Sequence, residues 1–371
     1  PFAALAVGVL ANPVLALCVY AASIPLESAF PTSDVGTLTR LVGLALLLSV
    51  SLYWIRRRAV ISPRRLSTLG WALLLYGLVS LTWAADPQIG GYLTFLQLIV
   101  SAMLVADVVA THRSAFSYAM STYCAVAGGT AALALLVFTE RASGTAVLSA
   151  RSSAFDEQSV AHFAAEMMPA FLYALSRVLA SKTWRSSLPF TLVAIVTLAA
   201  VLASGTRSAW IGLLVAVGVL LLRQLGPTTA ARAVAMAAAV IFTLGSIPQL
   251  TEFVQQRVEI AVDTGGAGRT TIWQVGWEIA SQHAPFGAGF GMFPRAFDQQ
   301  AIDATWGLVR APDQGRGSHS IYLALLAELG IAGIVLWILW MRGLLAALLR
   351  DRSQASIAAT AILVAFLVQG A

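Results

Sequence analysis

Apolar stretches of about 20 residues recur along this chain, separated mostly by short polar connections, and each is long enough to cross a bilayer as a helix. The pattern predicts helices at 2–23, 37–55, 66–83, 90–110, 115–138, 161–180, 187–204, 208–223, 231–248, 319–341 and 355–371. One interval breaks the rhythm. Residues 249–318 mix Gly, Arg and acidic positions with Trp, Phe and Ile that would rest against lipid or other helices. No stretch reads as a separate soluble domain, so residues 1–371 are expected to form a single transmembrane domain with 249–318 as a long, partly helical outer loop within it. The expected fold class is all-α, a polytopic integral membrane protein. Eleven spans are visible, and an apolar run ending at Ala371 leads us to expect a twelfth beyond it. Pro1 in place of Met implies a missing N-terminal piece, and the first apolar segment leads into further spans rather than to a cleavage site.

Composition agrees, with 58% hydrophobic and 11% charged residues and a mean hydropathy of +0.81. The pI of about 9.7 could suggest nucleic acid, but position argues for orientation in a membrane instead. Arg56, Arg57, Arg58, Arg64 and Arg65 cluster between the second and third spans, and the later basic residues fall in alternate connections. Those connections are expected in the cytoplasm, which puts 24–36, 84–89, 139–160, 204–207 and 249–318 outside. Cys18 and Cys124 lie within apolar segments and read as packing residues. The Asn12-Pro13 break reads as a kink or close helix contact. No spacing suggests a metal site, and no cofactor is expected.

Candidate chemistry gathers on the outer side. Arg207 sits in SGTRSAW, a turn so short that its flanking spans must form a tight hairpin. The guanidinium there reads either as an anion site beside a helix start or as an interfacial anchor paired with Trp210. Arg269 follows Gly265, Gly266 and Gly268, and a helix is expected to begin near Ile272, with Thr271 and Gln274 at capping-box spacing. This makes a second anion site. PFGAGFGMFP reads as a turn packed closely under that helix, since no strand or Lys makes it a phosphate loop. His319 opens the next span, with Ser318 as the expected N-cap; a helix N-terminus disfavours imidazolium, so the ring is expected to stay neutral and able to accept a proton. Arg316 lies within one turn of it. Arg151 is a third candidate cation. His162 and Glu166, one turn apart, read as a secondary site or as a buried hydrogen-bonded pair, and Arg141, Arg295 and Arg310 as solvated or ion-paired.

The order SGTRSAWIG, GRTTIWQVGWEIASQHAPFGAGFGMFP and HSIYLALLAELGIAGI, over roughly residues 200–335, resembles the O-antigen ligase and O-antigen polymerase superfamily of bacterial envelope glycosyltransferases, and most of all its lipopolysaccharide O-antigen ligases. The resemblance implies a glycan donor on undecaprenyl pyrophosphate, a lipid A core acceptor, and an active site on the periplasmic side of a Gram-negative inner membrane. It also implies that Arg207 and Arg269, with Arg151, meet the pyrophosphate and that His319 is the essential base. The family's His-Asn pair reads His319-Ser320 here. Metal-independent, inverting transfer is the expected chemistry. The alternatives are an O-antigen polymerase with the same donor and a lipid-linked glycan flippase or exporter. The latter should show charged residues lining its spans, where only Asp107, Glu166, Arg177 and Glu328 are candidates.

Overall fold

The computed structural model describes residues 2–30, 37–57, 68–142, 159–229, 269–303 and 317–370. Among them every regular element is helical: α1 (Phe2–Ala11), α2 (Pro13–Ser23), α3 (Leu38–Arg57), α4 (Thr68–Ser80), α5 (Ile89–Thr111), α6 (Ala115–Ala142), α7 (Val160–Ala180), α8 (Trp184–Ala203), α9 (Arg207–Leu225), α10 (Arg269–Gln282), α11 (Phe293–Asp303), α12 (Ile321–Arg350) and α13 (Gln354–Gln369). A 3-10 turn, Ile24–Ala29, follows α2. Seven of these helices are long and apolar enough to cross a membrane, and α2 with its 3-10 turn, α4 and α13 are shorter apolar segments. The chain is a polytopic helical membrane protein. The helix expected at 231–248 lies outside the described residues.

Two compact units make up the chain. The first takes residues 1–61, 104–253 and 345–369, the second 62–103, 254–344 and 370–371.

In the first unit α7 is the central helix. Phe163, Ala164, Met167, Met168, Ala170, Leu172 and Ala174 are fully buried around its circumference, so it is covered on all sides rather than along one stripe. The predicted first helix is broken at Asn12. Pro13 has no N–H to continue the ladder, and the Asn12 side chain accepts from the N–H groups of Val14 at 2.9 Å and Leu15 at 3.3 Å, capping α2. At the other end of the unit Arg223, in the last turn of α9, donates to the carbonyls of Leu348 (3.1 Å), Leu349 (3.4 Å) and Asp351 (2.7 Å) and to the Thr360 hydroxyl. A planar fork thus satisfies the carbonyls that the end of α12 leaves open. Ser353 then caps α13 by accepting from Ser356 N–H at 3.2 Å.

In the second unit α10 and α11 pack on the first part of α12. Ile272, Val275, Ile279, Met292, Phe293, Phe297 and Ala327 form the core. Gly276 permits this approach, because a Cβ there would lie 2.6 Å from Leu323 Cδ2. The stretch expected as one span at 319–341 is interrupted at Gly330, whose φ of 62° and ψ of −160° are not helical. The bend is sharp enough for the Tyr322 and Trp337 rings, from opposite sides of it, to meet edge to face at 5.2 Å. The turn 285–293 fills the break. Ile331 N–H donates to Pro285 carbonyl (2.9 Å), while the carbonyls of Ala327 and Glu328 accept from Ala288 (2.8 Å) and Gly289 (2.9 Å). The half-buried Glu328 side chain accepts from Gly291 N–H with one oxygen (2.9 Å) and from Phe293 N–H with the other (3.1 Å). The far side of the turn is held by α4 and the residues after it: Tyr76 donates to Phe286 carbonyl (3.2 Å), Trp83 to Gly287 carbonyl (3.1 Å), and Ser80 accepts from Phe290 N–H (3.1 Å).

Gly287, at φ 82°, and Gly330 approach so closely that a Cβ on Gly287 would run into the Glu328 carbonyl and the Gly330 nitrogen. Gly287→Ala is expected to destabilise the fold by about 1–3 kcal/mol, the cost of a side chain forced into that backbone region. Thermal unfolding in detergent measures this, and an unchanged midpoint would refute the close approach. A second expectation concerns Asp351, whose carboxyl is held below the usual range by hydrogen bonds from the Ser353 hydroxyl and N–H. A depressed folded value means stabilisation present above the ordinary range of about 3.9 and lost as pH falls through the folded value. Asp351→Asn should therefore lower the unfolding temperature at neutral pH, and the gap to wild type should close in acid.

Candidate active site

The candidate residues fall at helix starts. In the first unit Arg207 is the first residue of α9, half-buried, after a turn closed by Gly205 at φ 65°. The tight hairpin expected there is present. Ser204 accepts from Thr206 N–H at 3.2 Å, and the Trp210 indole donates to Val201 carbonyl at 3.2 Å, tying α9 back to α8. Thr206 spends its hydroxyl on Val160 carbonyl (3.3 Å), which joins the start of α9 to the start of α7. His162 lies in that first turn of α7. It is exposed rather than buried, and the Glu166 carbonyl one turn on accepts from Tyr123 at 2.5 Å. Arg207 and His162 therefore share one end of the unit.

In the second unit α10 begins at Arg269, three residues before the expected start at Ile272. One turn on, Ile272 enters the core beside Phe293, so the start of α10 is anchored from below. His319 precedes α12 by two residues and is exposed, with a left-handed backbone at φ 53°. The serines flank it. Ser318, 8% exposed, donates to Ser320 carbonyl (2.7 Å) and accepts from Ser320 N–H (3.3 Å), which pins the backbone on either side of His319. The N-cap of α12 is Ser320 rather than Ser318, because Ser320 accepts from Leu323 N–H at 3.4 Å, the third helical position. Ile321 N–H, the first orphan donor, is taken by Gly370 carbonyl at 2.9 Å.

Beside this helix start lies a cavity of about 950 Å³ lined by Trp273, Gln274, Trp277, Glu278, Ser281, Ser320, Tyr322, Leu323, Leu326 and Ile334. It sits in the crook of the bent α12, faced by α10. Its floor is apolar and its α10 wall carries the amide, carboxylate and hydroxyl. Trp273 and Trp277 are 41% and 65% exposed, so they offer open aromatic faces rather than core packing. Ser320 adjoins His319, and Trp273 is one turn from Arg269. Arg151 and Arg316 lie outside the described residues. Arg295 is paired with Asp86 at 3.3 Å, both about half exposed, which removes it from the candidates as expected.

Residues 192–338 match the family model described as O-antigen ligase. Over that stretch, less than half of its length, the chain is similar to the O-antigen ligase superfamily. The matched stretch runs from within α8 to within α12 and includes Arg207, Arg269, His319 and the residues that line the cavity. The family indicates glycosyl transfer of the ligase or polymerase type on lipid and lipid-linked glycan substrates. No curated protein matches the chain.

The sequence pattern did not single out Ser320 as the cap or Gly330 as a break, and it marked Glu328 only as a possible in-span charge. A signal existed for the last two: an acidic residue two positions before a glycine in an otherwise apolar run is costly unless something receives it. The cap assignment yields a test of its own. Ser320→Ala should weaken the start of α12 by about 0.5–2 kcal/mol, whereas Ser320→Asn, an equally good cap, should preserve it. Faster exchange of the Leu323 amide in the alanine variant alone is the expected result.

Proposed function

We propose that the protein transfers an O-antigen glycan from undecaprenyl pyrophosphate to the lipid A core of lipopolysaccharide at the periplasmic face of a Gram-negative inner membrane, with the 249–318 loop on that face. The observation that carries this reading is the opening of α12. His319, fixed between Ser318 and Ser320, stands beside a cavity with an apolar floor, open tryptophan faces and polar groups along one wall. Amphiphiles that pair a lipid with a glycan match that division, because ring faces pack on aromatic planes and hydroxyls require the polar wall.

In the proposed reaction His319 removes the proton from the acceptor hydroxyl as the new glycosidic bond forms. The bond from the anomeric carbon to pyrophosphate breaks, and the configuration inverts. Arg207 and Arg269 compensate the charge of the leaving pyrophosphate, each as the first residue of a helix where unpaired N–H groups add positive potential. Arg151 joins them in this reading, and Arg316 and His162 have supporting roles. With the leaving group neutralised in this way, the reaction needs neither a metal nor a covalent sugar intermediate.

Purified protein offered the lipid-linked glycan with lipid A core should place a single glycan block on the core. His319→Ala should lower that rate by about 10² to 10⁴, the usual loss for a general base, with the fold retained. Full activity in that variant would defeat the assignment. Arg207→Ala and Arg269→Ala should raise the donor requirement, and EDTA should leave the rate unchanged. Inhibition by EDTA that a divalent cation reverses would overturn the metal-free mechanism. Ladders of donor on donor would instead identify a polymerase, and movement of labelled donor across vesicles without transfer a flippase.

A further inference from the structure

We infer that Glu328 is a positioning residue for transfer: it clamps the turn 285–293 into the break of α12 and so fixes the half-helix that His319 precedes. The inference rests on the transferase reading for its catalytic consequence and on the hydrogen bonds themselves for the clamp.

The break creates the need. An uninterrupted helix would pair Ile331 N–H with Ala327 carbonyl, and Glu328 carbonyl with the fourth residue beyond it. With Gly330 out of helical geometry, those groups turn outward and are met by Pro285, Ala288 and Gly289. These contacts are all backbone to backbone, and any turn of the same shape would make them. Glu328 adds the side-chain component. Its two oxygens receive Gly291 N–H and Phe293 N–H, and Phe293 is the first residue of α11, so the carboxylate also occupies that helix's positive end. One carboxylate thereby fixes three things at once: the turn, the start of α11 and the first half of α12. His319 stands about 10 Å of helix away from it, two residues ahead of the helix start. The α10 wall of the cavity packs on the same α11 and α12 residues, through Phe293 and Leu323 against Gly276. Loosening at Glu328 would thus move the base and the cavity wall together.

Isosteric substitution tests this. Glu328→Gln keeps size but replaces one acceptor with an amide NH₂, which must face an N–H donor at either Gly291 or Phe293. Glu328→Asp keeps both acceptors on a shorter stem. Amide exchange and transfer kinetics are measured on the full-length protein in lipid nanodiscs. We expect Glu328→Gln to speed exchange at Gly291 and Phe293 and to lower kcat by about 10²-fold, the loss that a displacement of about 1 Å produces, with the donor KM little changed. Glu328→Asp should restore part of both. A merely structural residue would lower the active fraction and exchange protection throughout, including in α7, without the partial rescue by Asp.

Unchanged exchange at the two amides in Glu328→Gln would overturn the clamp. Faster exchange with undiminished kcat would overturn the positioning role, and so would failure of Asp to restore either quantity. A wild-type protein that transfers no glycan, while Glu328→Gln still loosens the two amides, would sink the transferase reading and uphold the clamp.

Discussion

A helix within or beside a membrane can be interrupted only if the backbone groups it releases find other partners, since lipid supplies none. That constraint organises the second unit. Gly330 breaks α12, and the turn 285–293 supplies both donors and acceptors that the break leaves unpaired. The turn itself contains Gly287, Gly289 and Gly291, all at positive φ, because it must curl tightly enough to present several N–H groups toward one point. Without the break, the cavity in the crook of α12 would not exist. Without the turn, the break would carry unsatisfied polar groups at a cost of several kcal/mol each.

The first unit meets a related demand by a different route. Arg223 gathers the carbonyls at the end of α12 and around the start of α13, and Gln224 and Gln354 both donate to Ser176 carbonyl, at 2.9 and 3.0 Å. Long polar side chains close helix ends here, whereas in the second unit a whole turn of backbone does so. The difference has a functional consequence. A guanidinium that meets the carbonyls of Leu348, Leu349, Asp351 and Ser356 and the Thr360 hydroxyl is occupied, so Arg223 is structural despite being a cation at a helix terminus, and a basic residue there does not by itself mark an anion site.

Much of the fold was legible because burial in lipid demands long apolar runs, and such runs are hard to disguise. Helices α5 to α9 begin and end within a few residues of their expected limits. What escaped was set by contacts distant in sequence. Gly330 looks like one more small residue in an apolar stretch, and only the approach of Gly287 gives it a reason to leave helical geometry. Helix α11 was missed because its first N–H is satisfied by Glu328 rather than by a local cap, so no capping signature precedes it. Arg269 begins a helix rather than preceding one because the core contact of Ile272 supports an extra turn. Of the proposed site residues, Arg207 and His319 were singled out by their position at the edge of spans, and both stand at helix starts. The cap at Ser320 was obscured by Ser318, which has the same chemistry two residues earlier.

His319 differs from the two arginines in how it is held. Arg207 and Arg269 take their backbone conformation from the helices they begin, and a helix N-terminus favours an anion whatever the side chain does in detail. In the proposed role of base, His319 cannot rely on that averaging, because proton transfer requires contact distance to one hydroxyl. The left-handed backbone of His319, bracketed by the reciprocal bonds of Ser318 and Ser320, fixes the direction in which the side chain leaves the main chain. Under the proposed transfer, exposure of the ring has a rationale: an acceptor carrying its own lipid and sugars could not enter a closed pocket. Precision comes from the backbone, and access from the lack of cover. The same logic explains why the clamp beneath α12 matters to the residue at its tip, for a side chain fixed relative to its own helix is only as well placed as that helix.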